Sequence, residues 1–166
     1  MDGRPPIKLT FDSSPGRSGT PVWSPDGASL VYEDQHLNGR LRSVLADRIA
    51  APHTISPPGH FHPFGWSPDG GVLAAVLTTN ANVTAERTDG SSTVADVDVV
   101  TFTPDERARP RPLVKTVSSE GGEGVALSPD GRWLAYTSNT TGRNEVWVQP
   151  YDAPDTLVRV SPDGGV

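Results

Sequence analysis

The chain has 166 residues, 34% of them hydrophobic and 20% charged, with a net charge of −6 and no cysteine. Disulfides and thiolate metal sites are thereby excluded, and the acidic balance, with a pI near 5.1, argues against a nucleic-acid footprint. No run approaches the ~18 apolar residues of a membrane helix, and the polar start Met1 to Pro6 is not a signal peptide. The compartment is therefore open between the cytoplasm and, for a chain with a targeting segment outside this sequence, an extracytoplasmic space.

Gly and Pro, 17 each, cut the chain into short elements and disfavour long helices. Ile7–Phe11 reads as an isolated strand. Ser24-Pro-Asp-Gly27 is the first of four copies of one tetrapeptide; the others are Ser67–Gly70, Ser128–Gly131 and Ser161–Gly164. In each, Pro presets φ at the first central turn position and Asp tolerates the second. Gly accepts a positive φ, and the Ser hydroxyl caps the turn. Such a turn predicts a strand on each side. The first copy lies between Val22-Trp23 and Leu30-Val31-Tyr32, and the unit continues through an Asn38-Gly39 turn, a strand Leu41–Ala46 and a strand His53–Ser56.

The second unit places Gly65-Trp66 before its turn and Leu73-Ala74-Ala75 after it. A polar insertion, Thr79–Thr93, then precedes strands Val94–Phe102 and Leu113–Val117. The third has Ala126-Leu127, then Leu134-Ala135-Tyr136, Glu145–Gln149 and Leu157–Val160. The Leu after each turn stands at the same offset from the Ser: Leu30, Leu73, Leu134. Small or β-branched residues (Val31, Ala74, Ala135) sit between larger ones, a pattern suited to strands sandwiched between sheets. Four short antiparallel strands per unit of roughly 40 residues describe a propeller blade. The copy at Ser161 has no strand after it and reads as an interblade loop. The expected fold is all-β: a partial β-propeller of three four-stranded blades, at 20–56, 63–117 and 124–161, plus the stray outer strand 7–11 of a preceding blade.

Thr20-Pro-Val-Trp-Ser-Pro-Asp-Gly27, Phe64-Gly-Trp-Ser-Pro-Asp-Gly70, Glu120-Gly-Gly122 and Leu127–Tyr136 running into Ser138–Tyr151 resemble the TolB-type, WD-repeat-like β-propeller repeat. The pattern is most similar to the C-terminal propellers of bacterial serine/threonine protein kinases. The resemblance covers nearly the whole chain and implies a fold more than an activity. A ring needs about 4–8 blades, so three blades imply a piece of a larger propeller, with self-association through the end blades as the other option.

Catalytic candidates are few. His60-Phe-His62 supplies two of the four ligands a zinc site requires, with His36 and His53 not tied to them, and reads as a polar loop entering the strand at Phe64. Asp96 and Asp98, with Glu86 and Asp89, lack a calcium-loop pattern, and the alternation from Val94 to Val100 is that of a half-exposed strand. Asp26, Asp69 and Asp130 recur with the repeat, as do Ser24, Ser67 and Ser128. Repetition marks a structural role, because a catalytic site needs unlike residues converging once. Pro25, Pro68, Pro129, Gly27, Gly70 and Gly131 complete these turns. No Gly-x-Ser-x-Gly elbow, phosphate loop or kinase catalytic motif occurs. Arg107, Arg109 and Arg111 form a basic hairpin tip, and Asn82 and Asn139 begin glycosylation sequons.

The sequence thus points to a non-catalytic module that binds a protein or peptide, with no cofactor, no metal and no nucleic-acid partner. The insertion, with Asn80, Asn82, Glu86 and Arg87, is the expected partner contact. The alternative is a regulatory or substrate-gating propeller of a serine/threonine kinase or serine peptidase whose catalytic domain lies outside this chain. A ligand or cation in a central channel is a third reading.

Overall fold

The computed structural model describes residues 8–9, 18–35, 39–47, 50–78, 97–116, 125–138, 140–153 and 156–161. They form three four-stranded antiparallel sheets. Blade one contains β1 (Ser18–Trp23), β2 (Ser29–Asp34), β3 (Arg40–Leu45) and β4 (His53–Thr54). Blade two contains β5 (His60–Trp66), β6 (Leu73–Thr78), β7 (Val97–Phe102) and β8 (Arg111–Thr116). Blade three contains β9 (Val125–Leu127), β10 (Trp133–Ser138), β11 (Glu145–Pro150) and β12 (Val158–Arg159). In each sheet the strands follow one another in chain order, a meander with the first strand at one edge and the fourth at the other. β5 lies against β1 on one side and β9 on the other, so the first strands are innermost. This is a partial propeller. The isolated strand expected at 7–11 and the turn at 161–164 lie almost wholly outside the described residues.

The three turns are built alike. Gly27 N–H donates to Ser24 O at 2.9 Å, Gly70 to Ser67 O at 2.9 Å and Gly131 to Ser128 O at 2.8 Å. The glycines take φ of 69°, 72° and 68°, the left-handed region where a Cβ is costly. Inside each turn the Ser hydroxyl donates to the Asp Oδ1, at 2.5 Å in all three. It also accepts the N–H of the residue five positions on, Ser29, Val72 or Trp133. One tetrapeptide thereby closes its own loop and opens the next strand.

Alternate residues of a strand face opposite sides, and blade two packs with both of its faces. Val31 and Leu41 of blade one meet Phe61, Leu73, Ala75, Val100 and Phe102 of blade two. Phe61 and Phe102 pack at 5.3 Å between ring centroids, tilted by 59°, a favoured aromatic geometry. The second seam joins Val99, Leu113 and Val114 to Leu127, Leu134, Tyr136 and Trp147. Leu73, Ala74, Ala75 and Val76 are all buried, because blade two has a neighbour on each face. The small Ala74 and Ala75 let the sheets close around β6.

β5 starts at His60, not at Phe64 after a polar loop. Its first residues are drawn into the sheet by partners on blade one. Phe61 N–H donates to Gly39 O at 2.9 Å, and His62 Nδ1 lies 3.0 Å from Glu33 Oε2. A bulge interrupts the pairing of both β1 and β5 with the next strand, between Gly19 and Val22 and between Pro63 and Gly65. It absorbs the proline in each, which has no N–H for the ladder.

Candidate functional site

Buried carboxylates come first, because an unpaired one would mark a site. Glu33 is paired with His62, Asp34 with Arg42 Nη1 at 3.2 Å, and Glu145 with Arg159 Nη1 at 3.4 Å. Glu145 also accepts from Thr141 Oγ1 at 2.7 Å. The hydrogen bond that the His62 Nδ1–H donates to the Glu33 carboxylate raises the pKa of His62 against the opposing effect of burial. These groups hold strands and blades together and face no reacting centre.

The remaining polar candidates fall into place in the same way. His60 and His62 both lie in β5, and His53 lies in β4 on the outer edge of blade one. Among the described residues no group of three or more His, Asp or Glu is arranged to hold a metal ion. Asp98 sits half-buried in β7, while His36, Glu86, Asp89 and Asp96 are outside the described residues. Arg107 and Arg109 are exposed in the β7–β8 loop, where Asp105 Oδ1 accepts the N–H of Arg107 at 2.6 Å. Asn80, Asn82, Glu86 and Arg87 are likewise outside the described residues. The segment holding them leaves β6 after Thr78 and enters β7 at Val97, at the end of blade two opposite its turn.

One place gathers polar groups from two blades around an opening. At the turn face of the first seam a cleft of about 460 Å³ opens between blades one and two. Its rim is made by the two turns, with Asp26 from one and Asp69 from the other. The Ser67 hydroxyl, then the Gly71 N–H, hold the Asp69 carboxyl below its ordinary pKa; Ser24 and Ala28 N–H do the same for Asp26. All these bonds go to Oδ1, so Oδ2 of each carboxylate has no partner among the described residues.

The walls are Ser29 and Ser43 of blade one and Trp66 of blade two. Ser43 pairs with Val31 across the β2–β3 ladder, and Val31 belongs to the face packed on blade two. Ser43 is only 9% exposed and lines the cleft. Trp66 Nε1 is sealed from solvent and has no partner among the described residues; Trp147 Nε1 in the second seam is alike. A buried donor without an acceptor costs about 1–3 kcal/mol, and both seams carry one.

The sequence reading did not find this cleft, although a signal exists. The residue before the turn is Trp66 in the first seam and Leu127 in the second. Ser29 and Ser43 of blade one correspond, in the second seam, to Val72 and Thr101 of blade two. The signal is visible only after the repeats are aligned on the pairing register. A second depression, of about 410 Å³, lies beside blade three between Trp133 and Tyr151. Trp133 there is 42% exposed.

No family model matches the sequence, and no curated protein matches it. Solved structures do. TolB from Acinetobacter baumannii superposes with a TM-score of 0.62 at 14% identity, over 87% of this chain and 32% of that one. A protein described as TolB from Agrobacterium tumefaciens gives a TM-score of 0.42 at 21% identity, over 89% of this chain and 63% of that one. The chain thus spans about a third of the length of the Acinetobacter protein. The likeness to that protein, on top of the three blades, shows that this chain has the fold of a TolB-type β-propeller.

Proposed function

We propose that the chain is a non-catalytic propeller module that binds a protein or peptide partner. The observation that carries this reading is the division of labour among its polar groups. The repeated Ser and Asp residues are spent inside their own turns, and the buried carboxylates are paired. A cleft at the rim of a seam is lined by carboxylate and hydroxyl groups from two blades. Such an arrangement offers hydrogen bonds to a ligand and no nucleophile, base and orienting group in one chain of contact. The insertion at Thr79–Thr93, with Asn80, Asn82, Glu86 and Arg87, belongs to the same reading as a second partner contact on the opposite end of blade two.

The test is capture with a photo-crosslinking residue placed at Pro25, on the turn face, or at Thr78, where the insertion leaves. A partner crosslinked from a lysate of the parent organism at either position supports a binding module. Absence of any specific crosslink from both positions overturns it. Deleting 79–93 then assigns the contact, since unchanged capture removes the insertion from the reading.

A narrower version places this module in a serine/threonine kinase or a serine peptidase, as a regulatory or substrate-gating propeller. The likeness of Leu127–Tyr136 and Ser138–Tyr151 to kinase-associated propellers favours the kinase. The coding sequence on either side decides it: a kinase domain upstream or an α/β-hydrolase domain downstream supports this version, and neither being present removes it.

A further inference from the structure

We propose that the cleft of the first seam binds the basic side chain of an arginine or lysine in a peptide, together with the peptide's own carbonyl groups. This assignment rests on the peptide-binding reading above and names the chemistry of its ligand.

The charge comes from the rim. Asp26 and Asp69 face one opening from two different blades, and among the described residues each has a free Oδ2 and no Lys, Arg or His lines the cleft. Both carboxylates stay ionised well below neutral pH, since their hydroxyl and amide donors favour the charged form. An anionic ligand would be repelled there, whereas a guanidinium or ammonium group gains a charge-assisted hydrogen bond from each carboxylate it reaches. The chain as a whole carries a net charge of −6, which draws in a basic partner and disfavours an acidic one.

The walls supply a second reason. The Ser43 hydroxyl lines the cleft and can donate to a carbonyl. A peptide offers that carbonyl while its basic side chain reaches the rim. The indole also gives the methylene stem of that side chain an apolar wall. The cleft is of the size that proteins use for small ligands, enough for one long side chain and its peptide unit.

The second seam shows that this is not a general property of the repeat. There the turns close on each other: a Cβ placed on Gly131 would stand 2.5 Å from Pro68 Cδ. In the first seam the matching position, Gly70, would leave 3.9 Å to Pro25 Cδ. Asp69 and Asp130 belong to turns in contact, whereas Asp26 and Asp69 bracket an opening.

The experiment uses the full chain with its tryptophans labelled with nitrogen-15. The probes are acetyl-Gly-Arg-Gly-amide and the same peptide with citrulline, which keeps the shape and loses the charge. The Trp66 indole resonance is assigned with Trp66→Phe. The Trp147 indole, buried in the second seam, is the internal control. The expected result is a saturable shift of Trp66 with the arginine peptide, a dissociation constant about fivefold weaker for citrulline, and little change at Trp147. Asp69→Asn keeps Oδ1 as the turn's acceptor and removes only the charge, so it weakens the arginine peptide and leaves the citrulline peptide alone. Ser43→Ala weakens both.

Equal binding of the two peptides, an unaltered arginine affinity in Asp69→Asn, or no shift at Trp66 overturns the assignment. If the peptides fail while a crosslinked partner is still captured, the cleft assignment falls and the binding module stands. If charge-dependent peptide binding is seen and no protein partner is captured, the cleft assignment is upheld and the protein-partner reading falls.

Discussion

Between blades two and three, Pro68 lies on Gly131 so tightly that the glycine cannot carry a side chain. Between blades one and two, the equivalent Pro25 stands off from Gly70, and a cleft opens beneath the two turns. The strands and turns on the two sides are the same, so the difference comes from what fills the seam. Trp66 occupies the position before the turn in the first, and Leu127 occupies it in the second. The indole takes more room than the leucine and holds the turns apart, while Ser29 and Ser43 of blade one stand where the second seam has Val72 and Thr101 of blade two. A repeat protein can thus open one of its joints by changing a few side chains and leaving the frame alone.

The largest expected effect comes from the apolar part of the first seam. Phe61 is 1% exposed and packs on Phe102, so Phe61→Ala should cost about 3–5 kcal/mol in denaturant unfolding. Leu134→Ala, its counterpart in the second seam, should cost less, about 2–4 kcal/mol. The reverse order would mean that the second seam carries more of the stability than its smaller buried cluster implies.

Glycine substitutions sharpen the comparison of the turns. Gly131→Ala meets both a left-handed φ of 68° and the Pro68 ring, and should lose about 2–4 kcal/mol. Gly70→Ala, with φ of 72° and no close neighbour, should lose only about 1–2 kcal/mol. Equal losses would show that the turns of the second seam are free to separate.

Trp66→Leu gives the first seam the residue of the second. It should lower stability by about 1–2 kcal/mol through lost apolar contact and draw the two turns together. The check is a crystal structure or a distance measurement between spin labels at positions 26 and 69. An unchanged separation would remove the indole as the cause of the cleft.

The smallest effect is the pH dependence of the Glu33–His62 pair, which only the first seam has among the described residues. The pKa of His62 is raised above its ordinary 6.5 in the folded chain, so folding takes up a proton there. The added stability is full below about pH 6.5 and disappears as the pH rises through the raised value. The thermal midpoint of the unaltered chain minus that of His62→Gln should therefore be larger at pH 5.5 than at pH 8.5. The side chain is 40% exposed, so solvent screens the pair and the difference is small.

Much of the frame was legible from residues alone. The Ser-Pro-Asp-Gly turns dictate their own closure through contacts within a few positions, and the small Ala74 set among larger neighbours suits a strand sandwiched between sheets. The start of β5 was not legible. His60 and His62 look like loop residues until Gly39 and Glu33 of the preceding blade are placed against them. Pro112, inside β8, is tolerated because the ladder is irregular where it pairs with Val100.

The sequence by itself determined that this protein is a run of four-stranded blades, because turn chemistry and period-2 patterning act over distances of a few residues. Tertiary structure decided which joint between blades stays open. That choice depends on Trp66, Ser29, Ser43, Asp26 and Asp69, which come from two blades and meet only when one sheet is laid on the next.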